Sequence, residues 1–312
     1  MKSVFSILIL IPMSLLAKPC INIGVLSHFN SLGSDGTVYG SQILNGIKKA
    51  QKEIKSTCFN INKIDIGENL ADLRKIYKRN HLKNDLFIGL GQSNKVVAIK
   101  DMIGKKILFS PTATSNTLKG LSNIFLTSGI NESLARGIAF NINKSLKNIA
   151  IIYDPANIYS VDLKTQILAF LRIKASIYKN MEKIKHHHDG ALLLLDEDIS
   201  AQKISELDNT KSVNNIIGVD SWGPKSIYLK KVFKKIKHIK SIEKYYTFNK
   251  NKNFESDLEY YSYHSLYLAK TQHEKCFNKS FGCLSKQMNK LPTKMNENYL
   301  DWEVKKDILY ER

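Results

Sequence analysis

The stretch from Leu86 to Gly120 constrains the fold of this chain more than any other. It begins with an apolar run, Leu86 to Leu90, which ends among glycines, as is typical of a buried parallel strand entering a tight turn. Ser93 follows where an N-cap would open a helix over Asn94 to Ile103. A second buried strand is predicted over Ile107 to Ser110. This order indicates a βαβ unit and therefore an α/β fold with parallel sheets.

Polar residues follow both of these strands. Ser93 comes after the first strand, and Thr112 and Thr114, on either side of Ala113, come after the second. Open α/β sheets bind their ligands beyond the carboxyl ends of their strands. Hydroxyls and backbone N–H groups at such turns suit a small anion, for example a carboxylate. We therefore predict that these four residues bind the ligand.

The same stretch resembles the periplasmic binding proteins of the leucine/isoleucine/valine family, which serve ABC transporters. In that family an apolar strand leads through a glycine and a serine-containing turn to a helix, and then to a strand ending in "ISPxAT". The matching residues here are Gly89, Ser93, Ser110, Pro111, Ala113 and Thr114. The resemblance implies a type I fold, in which two Rossmann-like lobes with parallel central sheets are joined by crossing hinge strands.

Two further segments resemble the second lobe of that family. Ile149 to Leu163 is similar to a strand and helix in which Tyr159 occupies the place of an aromatic ligand contact. The alternative is a half-buried tyrosine that only packs. Ile216 to Asp220 is similar to a strand ending in "GxE/D", whose acidic residue accepts the ammonium of the ligand. For Asp220 the alternative is a cap on a helix that starts near Pro224.

The resemblance also sets the expected domain boundaries. Residues 18–122 plus 250–285 form the predicted first lobe, and 123–249 plus 286–312 form the second. The second lobe is trimmed, because the chain between the strands Ala175 to Tyr178 and Ala191 to Leu195 has no room for a full helix. A helix over Phe254 to His273 is expected to return to the first lobe.

The N-terminus predicts export. Lys2, the apolar run Val4 to Leu16, and Ala17 have the pattern of a cleavable signal peptide, residues 1–17, which is too short to span a bilayer. The predicted location is the periplasm. Such a compartment permits disulfides, and four cysteines allow two of them in three pairings.

The positions of the cysteines favour one pairing. Cys20 and Cys58 each precede a predicted parallel strand, so the two residues start side by side if those strands are neighbours. Cys276 and Cys283 would then close a short loop. No CxxC metal or redox spacing occurs.

Composition argues against two other classes of protein. The net charge of +19 comes almost wholly from lysine, with only five arginines, which indicates a solvated lysine-rich surface and not a nucleic-acid partner. Neither GxSxG nor HExxH occurs, so no enzyme is predicted. His186, His187 and His188 could suggest a metal, but adjacent histidines alternate in direction, and we predict a solvated linker, no metal site and no cofactor.

We therefore expect a monomeric binding protein that delivers a small amino acid or amide to a membrane ABC permease. The ligand carboxylate would lie on Ser93, Thr112 and Thr114, and the ammonium on Asp220. The acidic run Asp196, Glu197 and Asp198 at the cleft edge hints at a cationic or polar ligand. The alternative is a ligand-sensing or interaction protein of the same fold that docks on a membrane receptor or a sensor kinase.

Overall fold

The computed structural model describes residues 20–29, 36–67, 69–179, 184, 186–194, 213–218, 241–242, 254, 256–276 and 310–311. The proposed signal peptide, the acidic run from Asp196 to Asp198, Asp220, and Cys283 lie outside these residues. The side chain of Cys276, at the end of the last described helix, is also outside them. The signal peptide, the Cys276–Cys283 bridge and the roles of the acidic run and of Asp220 therefore stay predictions.

Five parallel strands form the first sheet, in the order β2-β1-β3-β4-β5. They are β1 (Ile21–Ser27), β2 (Phe59–Asp65), β3 (Leu86–Gly89), β4 (Leu108–Ser110) and β5 (Ile124–Leu126). Helices α1 (Gly36–Glu53), α2 (Leu70–Asn80) and α3 (Ser93–Ile99) connect the first four strands. This arrangement confirms the predicted α/β class.

Apolar side chains cover both faces of this sheet, which is why its strands read as continuous apolar runs. Residues such as Ile23, Val25 and Ile88 pack in a core with α1. Neighbouring residues of the same strands, including Leu26 and Phe87, pack in a second core with α2 and α3. The alternation follows from the two-residue period of a strand.

A disulfide joins Cys20 to Cys58 at the amino ends of β1 and β2, with the two Cα atoms 4.5 Å apart. The strands pair in parallel from Ile21 opposite Phe59. The predicted pairing of these two cysteines is thus present in the structure, for the reason the sequence suggested.

The second sheet has six strands in the order β10-β11-β9-β8-β6-β7. They are β6 (Asn148–Tyr153), β7 (Lys174–Lys179), β8 (His188–Leu194), β9 (Val213–Gly218), β10 (Ser241–Ile242) and β11 (Tyr310–Glu311). Helices α4 (Asn131–Ser145) and α5 (Ile158–Phe170) flank β6 in the chain. Strands β6 to β9 are parallel, and β11 is antiparallel to both of its neighbours.

Helix α6 (Asp257–Cys276) packs against α1. Gly46 permits the close approach, because a Cβ at this position would overlap the carbonyl oxygen of Glu259. The carboxylate of Glu259 is buried, and it pairs with the ammonium of Lys49 at 2.6 Å.

The histidine run does not lie wholly in solvent. His186 and His187 are exposed, but His188 is buried at the start of β8, where its Nε2 lies 3.2 Å from the hydroxyl of Tyr178. Burial lowers the pKa of His188. The linker prediction is therefore wrong for His188, because the strand begins earlier than expected. Among the described residues, no three His, Cys, Asp or Glu side chains converge on a metal position.

Candidate functional site

The turn after β3 is held in an unusual conformation. Gly89 and Leu90 both have positive φ, of 136° and 57°. A Cβ at Gly89 would overlap the carbonyl oxygen of Leu26, so only glycine fits there. The backbone N–H of Leu90 donates to Leu26 at 3.0 Å, and the hydroxyl of Ser110 donates to the carbonyl of Leu90 at 2.7 Å. These hydrogen bonds to β1 and β4 stabilise the positive φ of Leu90, a conformation that is unfavourable for leucine.

Ser93 is the first helical residue of α3 and is buried. The prediction that Ser93 caps this helix is wrong, because Gln92 occupies the cap position. The Oγ atom of Ser93 instead accepts from the backbone N–H groups of Thr114 and Ser115, both at 3.2 Å. Two donors from the neighbouring turn fill its acceptor positions. A hydroxyl also carries one proton that it can donate, and a ligand carboxylate is a suitable acceptor.

The three residues after Pro111 differ in their surroundings. The hydroxyl of Thr112 donates to the carbonyl of Gly91 at 3.0 Å, so it braces the two turns against each other. Ala113 is fully buried in the core shared with α3. The Oγ1 atom of Thr114 is buried, and it finds no hydrogen-bond partner among the described residues.

An unpaired buried hydroxyl is costly, by about 1 to 3 kcal/mol. The backbone N–H of Thr114 donates to the Oγ atom of Ser93, so the two residues are in direct contact. The structure therefore brings Ser93 and Thr114 together, as predicted for neighbouring strand ends. The backbone N–H groups of Thr114 and Ser115 are occupied within the protein.

The second lobe meets this region through Asp162 on α5. Its carboxylate accepts from the backbone N–H of Asn116 at 2.7 Å and from the side-chain amide of Asn131 at 2.8 Å. The backbone N–H of Asn131 in turn donates to the carbonyl of Thr114 at 2.7 Å. The two lobes are thus tied together directly beside the Ser93 and Thr114 hydroxyls.

Tyr159 lies in the first turn of α5, one helical turn from Asp162. It is half-buried against the apolar core of the second lobe, and its carbonyl lies 3.4 Å from the side-chain amide of Asn131. Both the ligand contact and the packing role predicted for Tyr159 remain compatible with this position.

A pocket opens at the same edge of the first sheet, on the side of β1. Its lining combines apolar side chains with a polar rim: Leu26, Ser27, His28, Tyr39, Ile43, Ile66, Leu90, Gly91, Gln92 and Lys95. The sequence analysis singled out neither His28 nor Lys95. His28 directly follows the buried strand β1, which was an available signal, whereas Lys95 lies within α3 and no comparable signal marks it.

His28 and Lys95 touch each other in this pocket. The ammonium of Lys95 donates to the Nε2 atom of His28, which places the ring proton on Nδ1. Burial of the ring, followed by the positive charge of Lys95, lowers the pKa of His28 to about 4, and Asp65 acts weakly in the opposite direction. His28 is therefore neutral at pH 7.

The chain resembles several solved binding proteins in structure. One is the branched-chain amino acid transporter substrate-binding protein LivJ of Streptococcus pneumoniae in complex with isoleucine, with a TM-score of 0.68 and 14% identity over 86% of this chain and 87% of that one. Another is a leucine-binding protein LivK of Thermotoga maritima, with a TM-score of 0.61 and 13% identity over 85% and 86%.

A third is a solute-binding protein of an ABC transporter from Rhodopseudomonas palustris in complex with p-hydroxybenzoic acid. Its TM-score is 0.61, with 12% identity over 84% of this chain and 82% of that one. A scan against models of known families gives no match, and a search of curated proteins gives none.

These likenesses show the fold: the chain has the fold of the type I periplasmic binding proteins, as predicted. The similar structures are substrate-binding proteins and not enzymes by their descriptions, and their ligands include an amino acid and an aromatic acid. In the described part of the chain, no helix combines the length and the apolar character that a membrane crossing requires.

Proposed function

We propose that this chain is an exported solute-binding protein that captures a small amino acid, or a related amide, for delivery to an ABC permease. The fold supports this function, since proteins of similar structure bind small acids. The observation that carries the proposal is the buried hydroxyl of Thr114, which is unpaired among the described residues, on a residue whose backbone N–H donates to the Ser93 hydroxyl. Two such donors at the carboxyl edge of a parallel sheet suit one carboxylate.

Capture proceeds in two steps. The open first lobe takes the carboxylate on Ser93 and Thr114, with Thr112 and Ala113 shaping the turn. The second lobe then closes, bringing Tyr159 over the ligand and Asp220 onto its ammonium. Burying opposite charges is tolerable only when each is paired and hydrogen-bonded, so donors and acceptor come from opposite lobes.

A thermal-shift screen tests this function. A ligand at about one hundred times its dissociation constant stabilises the protein by about 2.7 kcal/mol, and each kcal/mol raises Tm by about 2 to 4 °C. We expect shifts of several degrees with one or a few of the twenty amino acids. The amide derivative of the best amino acid, in which the α-carboxylate is neutralised, serves as the matched compound and should shift Tm far less.

Export requires a separate measurement. N-terminal sequencing of protein from the periplasmic fraction should begin near Lys18. A flat response to the whole amino-acid panel, to small amides and to 4-hydroxybenzoate would contradict solute capture, whatever the location of the protein.

A further inference from the structure

The outward side of helix α4 carries an exposed aromatic ring. Phe140 is 47% exposed, although phenylalanine is among the residues that proteins most often bury. The buried residues of the same helix, Ala135, Ile138 and Ile142, face the core of the second lobe. The helical period places Phe140 on the opposite side. Packing within the described part of the chain therefore does not account for an aromatic residue at this position.

Two cations flank the Phe140 ring along the helix. Arg136 and Lys144 lie one helical turn before and after it, and both are exposed. The ammonium of Lys144 lies 3.9 Å from the centroid of the Phe140 ring. The central carbon of the Arg136 guanidinium lies 4.8 Å from the centroid of the Phe170 ring. Both cations are thus held against aromatic rings at the protein surface.

Three further cations lie at the carboxyl end of α4. Lys147, Arg172 and Lys174 are exposed. The backbone N–H of Arg172 donates to the side-chain carbonyl of Asn143 on α4 at 2.8 Å. Lys174 stands opposite Asn148 in the pairing of β6 with β7, so it lies beside Lys147. These positions extend the charge of Arg136 and Lys144 across one surface.

We call this surface the basic-aromatic face; it consists of Arg136, Phe140, Lys144, Lys147, Arg172 and Lys174. Two carboxylates border it. Glu132 lies 3.6 Å from Arg136 and 3.5 Å from Lys119, which is a further cation. Asp189 accepts from the backbone N–H of Lys147 at 2.8 Å. The cations outnumber these carboxylates, so the face has an excess of positive charge.

Local structure explains part of this arrangement. A cation in the last turn of a helix, such as Lys144, complements the negative end of the helix dipole. Scattered lysines keep a protein soluble, and this chain has a net charge of +19. Neither reason calls for an exposed phenylalanine among the cations.

We propose that the basic-aromatic face docks on an anionic lipid bilayer, with Phe140 in the headgroup region and the surrounding cations on lipid phosphates. Charge complementarity supports lipid as the partner, because an anionic bilayer attracts clustered lysines and arginines. Aromatic rings beside lysine and arginine are typical of surfaces that lie in the membrane interface. A lysine stem can lie along the ring while its ammonium reaches a phosphate. The inference goes beyond the proposed function and does not depend on which solute is bound.

An acidic protein is the weaker alternative. Specific protein interfaces bury about 1,200 to 2,000 Å² around a mostly apolar centre that is depleted in lysine. Here one exposed ring stands among lysines and arginines, which is little apolar surface for such a centre. A bilayer needs no matching shape, so a single ring with several cations is sufficient for reversible binding.

The test is flotation of the full mature chain with lipid vesicles at low salt. Vesicles of phosphatidylcholine in which about one lipid in three is phosphatidylglycerol are compared with vesicles of phosphatidylcholine alone. We expect at least about ten-fold tighter binding to the anionic vesicles, and this difference should shrink as salt is added. The double change Lys144→Gln with Lys147→Gln should weaken binding by about ten- to thirty-fold. Phe140→Ser should weaken it by about five- to ten-fold, because the ring is then lost from the interface.

The first lobe offers a matched control for each change. Lys48→Gln with Lys52→Gln removes two exposed lysines from α1 and lowers the net charge equally. Leu82→Ser removes an apolar side chain that is 88% exposed. Both controls should bind the anionic vesicles within about three-fold of the parent protein. Melting curves establish that each variant folds, and the lysine change and the phenylalanine change test the face independently.

The contrary results are specific. Equal binding to neutral and anionic vesicles would overturn the proposal. Equal losses in the α4 variants and the α1 control would also overturn it, since net charge alone would then explain binding. Retention on immobilised poly-L-glutamate that the α4 changes abolish, with vesicle binding unchanged, would overturn it in favour of an acidic protein partner.

Discussion

The carboxylate of Asp162 in the second lobe accepts a 2.7 Å hydrogen bond from the backbone N–H of Asn116 in the first. The same oxygen accepts from the side-chain amide of Asn131, which follows the crossing from β5 to α4. The carboxylate of Asp162 thus links the two lobes next to the segment that joins β5 to α4.

Asp162→Asn should loosen this junction. The amide is a weaker acceptor, and bonds to a charged group contribute about 1.5 to 3 kcal/mol. We expect a loss of about 1 to 3 kcal/mol, seen as a Tm lower by several degrees, and a larger radius of gyration by solution scattering. Asp101→Asn is the control, because the exposed Asp101–Arg74 pair at 3.0 Å contributes little. Equal effects of the two changes would contradict a special role for Asp162.

Ser93→Ala should affect both stability and binding. Its Oγ accepts from two backbone N–H groups, so its removal leaves donors of Thr114 and Ser115 unpaired. We expect the protein without ligand to lose about 1 to 3 kcal/mol. Affinity for the best ligand of the screen should fall by a similar free energy, which is about five- to one-hundred-and-forty-fold in Kd. Melting curves and calorimetric titration measure the two effects.

Thr114→Val separates these effects. Because the Thr114 hydroxyl is unpaired in the structure, its replacement by a methyl group should leave Tm unchanged or slightly raised. Affinity should nevertheless fall. A Thr114→Val protein that melts lower and binds normally would show that the hydroxyl serves the fold and not the ligand.

The strands of the first lobe could be predicted from the sequence, but the pocket that His28 and Lys95 line could not. Apolar runs that end at glycine or proline, as in Leu86 to Leu90, define buried strands almost by themselves. His28 and Lys95 come from distant segments, and they meet because β1 and β3 pair with Leu26 opposite Gly89. That register is a property of the folded sheet. Similarly, Ser93 does not cap α3, and its Oγ atom accepts from backbone N–H groups of another turn. No local sequence pattern reveals that contact.

The pH dependence of stability should report His28. Its pKa is lowered from 6.5 to about 4, so between these values the unfolded chain binds a proton that the folded chain does not. The contribution of His28 to stability is therefore fully present above about pH 6.5, and it is lost as the pH falls towards 4. A shift of this size corresponds to at most about 3 kcal/mol, and about half of that is expected because the ring is partly open to solvent.

His28→Gln removes this titration and keeps an acceptor for Lys95. The free energy of unfolding, measured with denaturant at pH 7.5 and 5, should fall less in this variant than in the parent protein. His188, whose pKa is also lowered, contributes equally to both proteins. Parallel pH curves would show that His28 does not titrate in this window.

The disulfides give a covalent prediction. A bridge between Cys20 and Cys58, which are 38 residues apart, stabilises by about 3 to 4 kcal/mol in the chain-entropy model. Reduction should therefore lower Tm by several degrees. A non-reducing peptide map should show this bridge, together with the predicted Cys276–Cys283 bridge. A crossed pairing such as Cys20 with Cys283 would be inconsistent with the strand order of the first sheet.

Asp220 is predicted to accept the ammonium of an amino-acid ligand, and one substitution tests this prediction. If its carboxylate accepts the ligand ammonium in a closed cleft, Asp220→Asn keeps the shape and removes the charge. Truncation of one member of such a pair costs about 2 to 5 kcal/mol, or about thirty-fold to several thousand-fold in affinity. A helix cap lost at this position would instead destabilise the protein without ligand by about 1 kcal/mol and leave affinity nearly intact. Titration of Asp220→Asn beside its melting curve distinguishes the two, and unchanged affinity for the best ligand would remove this residue from the site.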